Sequence, residues 1–242
     1  MTALKRALVT GGSGDIGSAI CRQLAASGLH VIVHSHRRPE RAEHLVAELI
    51  EQGGSAEAVS FDITDAEASQ QALTGLLAQG PVQVLVNNAG IFDDAPLAGM
   101  RREQWQRVID NALSGFFNVT QPLLLPMMAT RWGRIVTLSS VAAVLGNRGQ
   151  VNYAAAKSAL HGASKSLALE LATRGVTVNV VAPGIITGRI TEATFSRDAI
   201  RQLVPMKRAG TPEEVAALVG FLASDQAGYI SGQVINISGA MA

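Results

Sequence analysis

The chain has 242 residues, 48% of them hydrophobic and 16% charged, with 24 glycines and a formal net charge of +1. That balance suits a single α/β domain spanning 1–242 with a well-buried core, and gives no bulk electrostatic reason to expect nucleic acid or a membrane. A lone cysteine, Cys21, excludes an intrachain disulfide and a CxxC zinc pair, and no apolar run approaches the length of a membrane span. In chain order the pattern predicts strand 7–11, helix 16–27, strand 30–34, helix 39–52, strand 56–62, helix 65–79 and strand 82–88. It continues with helix 101–131, strand 133–140, helix 150–174, strand 176–183, helix 212–224 and strand 232–238. The opening run MTALKRALVTGGSG leads straight into the first strand, not into a signal segment, so a reducing cytoplasm is the expected location.

Several strands are almost continuous in Val, Ile and Leu, as strands covered on both faces are. Strands alternating with helices predict an α/β fold: a Rossmann-type doubly wound parallel sheet of about seven strands with helices on both faces. The connection 185–210 is the least strand-like long segment. It reads either as a partly helical lid over a ligand site or as a passive surface excursion.

TGGSGDIG, Thr10 to Gly17, follows the first strand and opens a helix. A glycine turn there presents free N–H groups and a positive dipole end to a pyrophosphate. Gly11, Ser13, Asp15 and Ile16 are the candidate contacts on this turn. Past the second strand stands HSHRRPER, with no carboxylate to bond a ribose 2′-hydroxyl but with Arg37 and Arg38, whose guanidiniums suit a 2′-phosphate. The other reading of that pair is a solvated helix start. His34 and His36 alternate at the strand end without further ligands nearby in sequence, so no metal site is read there.

YAAAK places Tyr153 and Lys157 four residues apart, on one helical face. Taken alone, this is either a chemical pair or an ordinary amphipathic helix. Taken with TGGSGDIG, NNAG at 87–90, the serines at 139–140 and PGIITG at 183–188, it resembles the short-chain dehydrogenase/reductase family. NYAAAKSALHGASKSLALELATRGVTVNVVAPG and KRAGTPEEVAALVGFLASDQAGYISGQ resemble its 3-oxoacyl-acyl-carrier-protein reductases.

The resemblance implies NADPH-dependent reduction of a 3-oxoacyl thioester on acyl carrier protein, for fatty acid or specialised polyketide or polyene synthesis. It implies Tyr153 as general acid, with Lys157 supplying positive charge beside it and binding the nicotinamide ribose. It gives Ser140, in preference to Ser139, to orient the carbonyl, and Asn111 to hold a water that relays protons to Lys157. Asp62 resembles an adenine contact, and Asn88, Ala89 and Gly90 the turn against the adenosine ribose and phosphates. Pro183 and Gly184 lead into Ile186, whose backbone resembles the group that holds the nicotinamide carboxamide, and Thr187 resembles the residue whose hydroxyl caps the amide or phosphate. Arg131 and Arg174 resemble carrier-docking positions; the other reading of each is an arginine favoured near a helix end. The family also implies a homotetramer.

Three positions depart from the pattern: Gly14-Asp15 stands where an Arg-Gly pair is usual, Ala112 follows Asn111, and the chain ends ISGAMA. The alternatives are an NAD(P)-dependent dehydrogenase of a free alcohol, sugar or steroid, and a non-catalytic nucleotide sensor.

Overall fold

The β-branched runs form β1 (Arg6–Val9), β2 (His30–Ser35), β3 (Ser55–Ser60), β4 (Val82–Asn87), β5 (Gly133–Leu138), β6 (Val176–Pro183) and β7 (Val234–Ile237). In the computed structural model, which describes residues 4–242, they make one sheet ordered β3-β2-β1-β4-β5-β6-β7, parallel throughout. Met1–Ala3, the start of the N-terminal run considered above, lie outside the described residues.

Parallel pairing requires crossovers, and helices supply them. They are α1 (Asp15–Ala26), α2 (Pro39–Glu51), α3 (Ala66–Ala78), α4 (Arg102–Ile109), α5 (Gly115–Ala129), α6 (Ala142–Leu145) and α7 (Val151–Leu171), then α8 (Arg189–Thr194), α9 (Arg197–Leu203) and α10 (Pro212–Leu222). The pleat sends alternate side chains to opposite faces. Ala7 and Val9 pack with Ile20 and Leu24 of α1, Leu45 of α2 and Val219 of α10. Leu8, between them, packs with Leu73 of α3, Leu123 of α5 and Leu167 of α7. Each face thus buries a separate apolar layer, which is why central strands such as β5 and β6 are buried throughout. Among the described residues no helix is long and apolar enough to cross a membrane.

Two differences from the expected elements bear on the site. The strands at 7–11, 82–88 and 133–140 end early, at Val9, Asn87 and Leu138. Thr10, Gly11, Asn88, Ser139 and Ser140 leave the ladder at the carboxyl edge of the sheet, where α/β proteins bind ligands. The helix expected over 101–131 is α4 and α5 joined by a π-helical turn, Asp110–Ser114. Such a turn carries one residue more than α-helical winding and is frequent at functional sites. The segment 185–210 contains α8 and α9, and it is anchored where Thr187 N donates to Gly210 O and Gly210 N to Ile185 O.

Candidate active site

β1 and β4 are neighbours whose crossovers leave in opposite directions, so a crevice opens at their carboxyl ends. Thr10 ties the two sides together. Its Oγ1 accepts the N–H groups of Asn88 at 2.9 Å and Ala89 at 3.0 Å. Asn88 reciprocates, donating Nδ2 to Thr10 O at 2.9 Å and Gly11 O at 3.1 Å. The Asn88 side chain therefore supports the glycine turn, leaving its backbone with Ala89 and Gly90 to line the crevice.

The turn is built for close approach. Gly11 has φ 61°, a left-handed conformation that a side chain would strain. A Cβ on Gly17 would stand 2.2 Å from Gly11 O, so α1 enters against the turn only because Gly17 has none. Ser13 Oγ lies 3.1 Å from Ser35 Oγ, and Ile16 packs partly buried on the core. Asp15 is the first residue of α1, and its carboxylate accepts the Arg189 N–H at 3.2 Å, with Arg189 Nε 3.7 Å away. The side chain of Asp15 thus faces the 185–210 segment, while its N–H stays at the open end of the helix.

Arg37 and Arg38 follow β2 with exposed side chains that make no hydrogen bond among the described residues. No carboxylate precedes them on the strand end, where Ser35 bonds Ser13 and the Arg38 carbonyl. Asp62 holds its own turn by accepting the Thr64 N–H at 2.9 Å and hydroxyl at 2.8 Å, with its other oxygen 3.7 Å from His36. These contacts and nearby cations keep its pKa below the ordinary value against the opposing effect of partial burial. The glycine cradle, the open helix end and two exposed guanidiniums without a hydrogen bond among the described residues fit a dinucleotide.

Across the crevice, α7 carries Tyr153 and Lys157. Asn152 fixes the helix entry. It is fully buried, donates to Asp93 O at 3.0 Å and Gln104 O at 3.2 Å, and accepts the Tyr153 N–H at 2.8 Å. Asp93 also bonds Gln104 and Arg107 of α4, so the loop after β4 is fastened to α4 and, through Asn152, to α7. Burial pushes the Tyr153 phenol up from its ordinary pKa, with a hydrogen bond to Ser140 pulling the other way. Ser140, half-buried, caps the turn into α6 by accepting the Ala142 N–H at 3.2 Å.

Ser139 instead points inward. Its hydroxyl lies 3.1 Å from Lys157 O and 2.7 Å from His161 Nε2, which separates the two serines in role. Lys157 is 4% exposed, and its Nζ lies 5.9 Å from the Tyr153 ring centroid and donates to Leu138 O at 2.7 Å. Burial lowers its pKa to about 8. A Cβ on Gly90 would sit 3.4 Å from Nζ, so this glycine lets the crevice wall pass directly over the ammonium.

Asn111 lies on the π-helical turn and, with Lys157, Asn87, Thr10 and Thr137, lines a cavity of about 10 Å3. That volume admits a single water. Thr137 Oγ1, buried in this wall, has no hydrogen-bond partner among the described residues.

The remaining sequence candidates divide. Pro183 closes β6, Gly184 N donates to Ile237 O at 2.9 Å, and Ile186 and Thr187 follow beyond the carboxyl end of that strand, where Thr187 N donates to Gly210 O. Arg131 and Arg174 are brought together, since Gly133 N bonds Gly175 O and a Cβ on Gly175 would stand 2.1 Å from Arg131 O. They stand at the amino ends of β5 and β6, however, and Ser140 stands beyond the other end of β5. Six residues of strand span about 20 Å, so within one chain the pair is remote from Tyr153.

Sequence reading missed Thr10, Asn152 and His34, the polar side chains that bond the backbone beneath the site. Their one visible signal was polarity at the ends of apolar runs. Among the described residues no cluster of three potential metal ligands occurs.

A family model described as Enoyl-(Acyl carrier protein) reductase matches residues 12–241. Similar proteins include a 3-oxoacyl-acyl-carrier-protein reductase of Synechocystis, 45% identical over 100% of this chain and 99% of its own length. Enzymes of the same name from Aggregatibacter actinomycetemcomitans and Staphylococcus aureus are each 41% identical, covering 97% and 100% of this chain and 98% and 99% of their own. With the parallel sheet, the glycine turn and the Ser140, Tyr153 and Lys157 group now placed at one sheet edge, this chain belongs to the short-chain dehydrogenase/reductase family of oxidoreductases.

Proposed function

We propose that this enzyme reduces the ketone of a 3-oxoacyl thioester carried on acyl carrier protein to the 3-hydroxy product, with NADPH as its cofactor. The observation that carries the reading is the placing of Ser140, Tyr153 and buried Lys157 around one end of the crevice whose other end is the glycine turn. A nicotinamide bound there supplies the hydride. Ser140 and Tyr153 both offer an O–H to the carbonyl oxygen, and Tyr153 transfers its proton as negative charge develops on that oxygen. An unassisted phenol gives up a proton poorly near neutral pH, and burial alone makes Tyr153 worse. The Lys157 ammonium offsets this by favouring the phenolate that remains. A water in the cavity between Asn111 and Lys157 returns a proton from solvent through Lys157 to Tyr153.

Arg37 and Arg38 are read as the 2′-phosphate site, since the strand end lacks the carboxylate that would select a free ribose hydroxyl. Asp15 takes no part in holding that phosphate, its carboxylate being directed to Arg189. Arg131 and Arg174 receive the acidic carrier on behalf of a neighbouring copy's crevice, because their own lies at the far edge of the sheet. That arrangement requires an oligomer, and we take the family's tetramer as the assembly. A cytoplasmic setting suits the single buried thiol. The remoteness of the arginines is also the observation that favours the second reading, a dehydrogenase of a free alcohol.

The test is cofactor oxidation with a 3-oxoacyl thioester, on the carrier and as a short mimic, comparing NADPH with NADH and wild type with Tyr153→Phe. Turnover with NADPH, faster on the carrier and lowered about 10²–10⁴-fold in the variant, is expected. Binding of cofactor with no turnover of either thioester would refute 3-oxoacyl reduction.

A further inference from the structure

His34 follows the apolar run Val31–Val33 in β2, and it is 2% exposed. Both ring nitrogens are committed. Nδ1 accepts the Gly11 N–H at 3.0 Å, and Nε2 donates to Phe61 O at 2.9 Å. An amide can only donate and a carbonyl can only accept, so the contacts select the neutral tautomer with its proton on Nε2. The ring also packs on Phe61, with centroids 4.4 Å apart.

The two groups it joins belong to opposite walls of the nucleotide site. Gly11 begins the glycine turn, and its left-handed backbone aims its amide into the protein, away from the β1 ladder. Phe61 immediately precedes Asp62 at the end of β3. The β2 terminus reinforces the tie, because Gly12 N donates to His34 O at 2.8 Å. A buried amide left without an acceptor is unfavourable enough to reorient a glycine peptide, which has little torsional resistance of its own.

We propose that His34 is a positioning residue for nucleotide binding: its neutral imidazole holds the Gly11 amide inward and fixes the separation of the glycine turn from the Asp62 wall. This rests on the reading of that turn as the dinucleotide site. Burial lowers the His34 pKa to about 4; of the charged neighbours, His36 acts in the same direction and Asp62 opposes it. The strut is therefore intact through neutral pH.

The experiment measures NADP+ and NADPH affinity at neutral pH, melting temperature and kcat at saturating cofactor for His34→Asn, His34→Gln and His34→Leu. Asn keeps an acceptor near the Nδ1 position and loses the donor to Phe61. Gln reaches Phe61 but offers Gly11 nothing, and Leu removes both contacts. Expected are an Asn variant within about threefold of wild-type affinity and Gln and Leu variants weaker by about tenfold, the worth of one buried hydrogen bond. Turnover at saturation stays near wild type in all three, since His34 does not touch the Tyr153 group. Affinities that are equal across the variants, or that follow melting temperature instead of the acceptor, would overturn the role of His34 alone. Failure of the wild type to bind either dinucleotide would overturn the site reading and this inference with it.

Discussion

Lys157→Met should make the protein more stable while disabling it. The ammonium is 4% exposed, and among the described residues its one hydrogen bond is to Leu138 O. Burial takes its pKa from the ordinary 10.5 to about 8. A drop of that size corresponds to about 3 kcal/mol held against folding at pH 7. Methionine matches the length of the stem without the charge, and it forfeits the Leu138 bond, worth about 1 kcal/mol. The net gain is about 2 kcal/mol, or a rise of roughly 4–8 °C in Tm for a chain of this size. The pH dependence supplies the sign. The unfolded lysine keeps its proton up to 10.5 and the folded one only up to about 8. The wild type therefore loses stability as pH falls from 10.5 to 8, and below 8 its deficit against the variant is complete. Thermal melts of both proteins at pH 7 and pH 10.5 measure this directly, with turnover followed in parallel. A variant that melts at or below the wild type at pH 7, or by the same margin at both pH values, would refute the claim that the charge is held against its own desolvation.

Other substitutions test separate parts of the site. Gly17→Ala puts a methyl 2.2 Å from Gly11 O and 2.8 Å from Asn88 Nδ2, so it should cost about 1–3 kcal/mol and weaken dinucleotide binding, checked by melting and by NADPH fluorescence titration. Arg37→Ala with Arg38→Ala should raise KM for NADPH at least about tenfold and leave KM for NADH nearly unchanged; equal effects on both cofactors would remove the 2′-phosphate assignment. Asn152→Ala removes the side-chain partner of the Asp93 and Gln104 carbonyls and of the Tyr153 amide, so kcat should fall about tenfold and Tm by several degrees, with KM for cofactor little affected.

The division between what the sequence disclosed and what it concealed follows from the range of the forces involved. Strand identity and order of elements were legible because burial on both faces writes an apolar run into the central strands, as in VTVNVVAP of β6. The Tyr153–Lys157 pair was legible because helical spacing is local. The break at Asp110–Ser114 was not, since one additional residue per turn leaves no mark on an apolar pattern within DNALSGFFNVT. Nor were the long-range ties readable: Thr10 with Asn88, Asn152 with Asp93, and His34 with Gly11 join backbones tens of residues apart, and each alone is a polar residue at the edge of an apolar run.

Those concealed ties also show why the reactive groups can be so few. Lys157 is buried at a cost to stability, and Tyr153 by itself is made less acidic by its surroundings. Neither arrangement would persist in a yielding crevice, where the ammonium would turn to water and the phenol would relax toward its ordinary acidity. What prevents this is the floor beneath them. Thr10 and Asn88 lock β1 to β4, and Asn152 locks α7 to the loop after β4, each through a side chain bonded to a partner's backbone. Unfavourable burial of Tyr153 and Lys157 and satisfied hydrogen bonds beneath them are thus parts of one design, and the variants above separate them: loss of Lys157 should free stability at the expense of turnover, whereas loss of Asn152 should forfeit both.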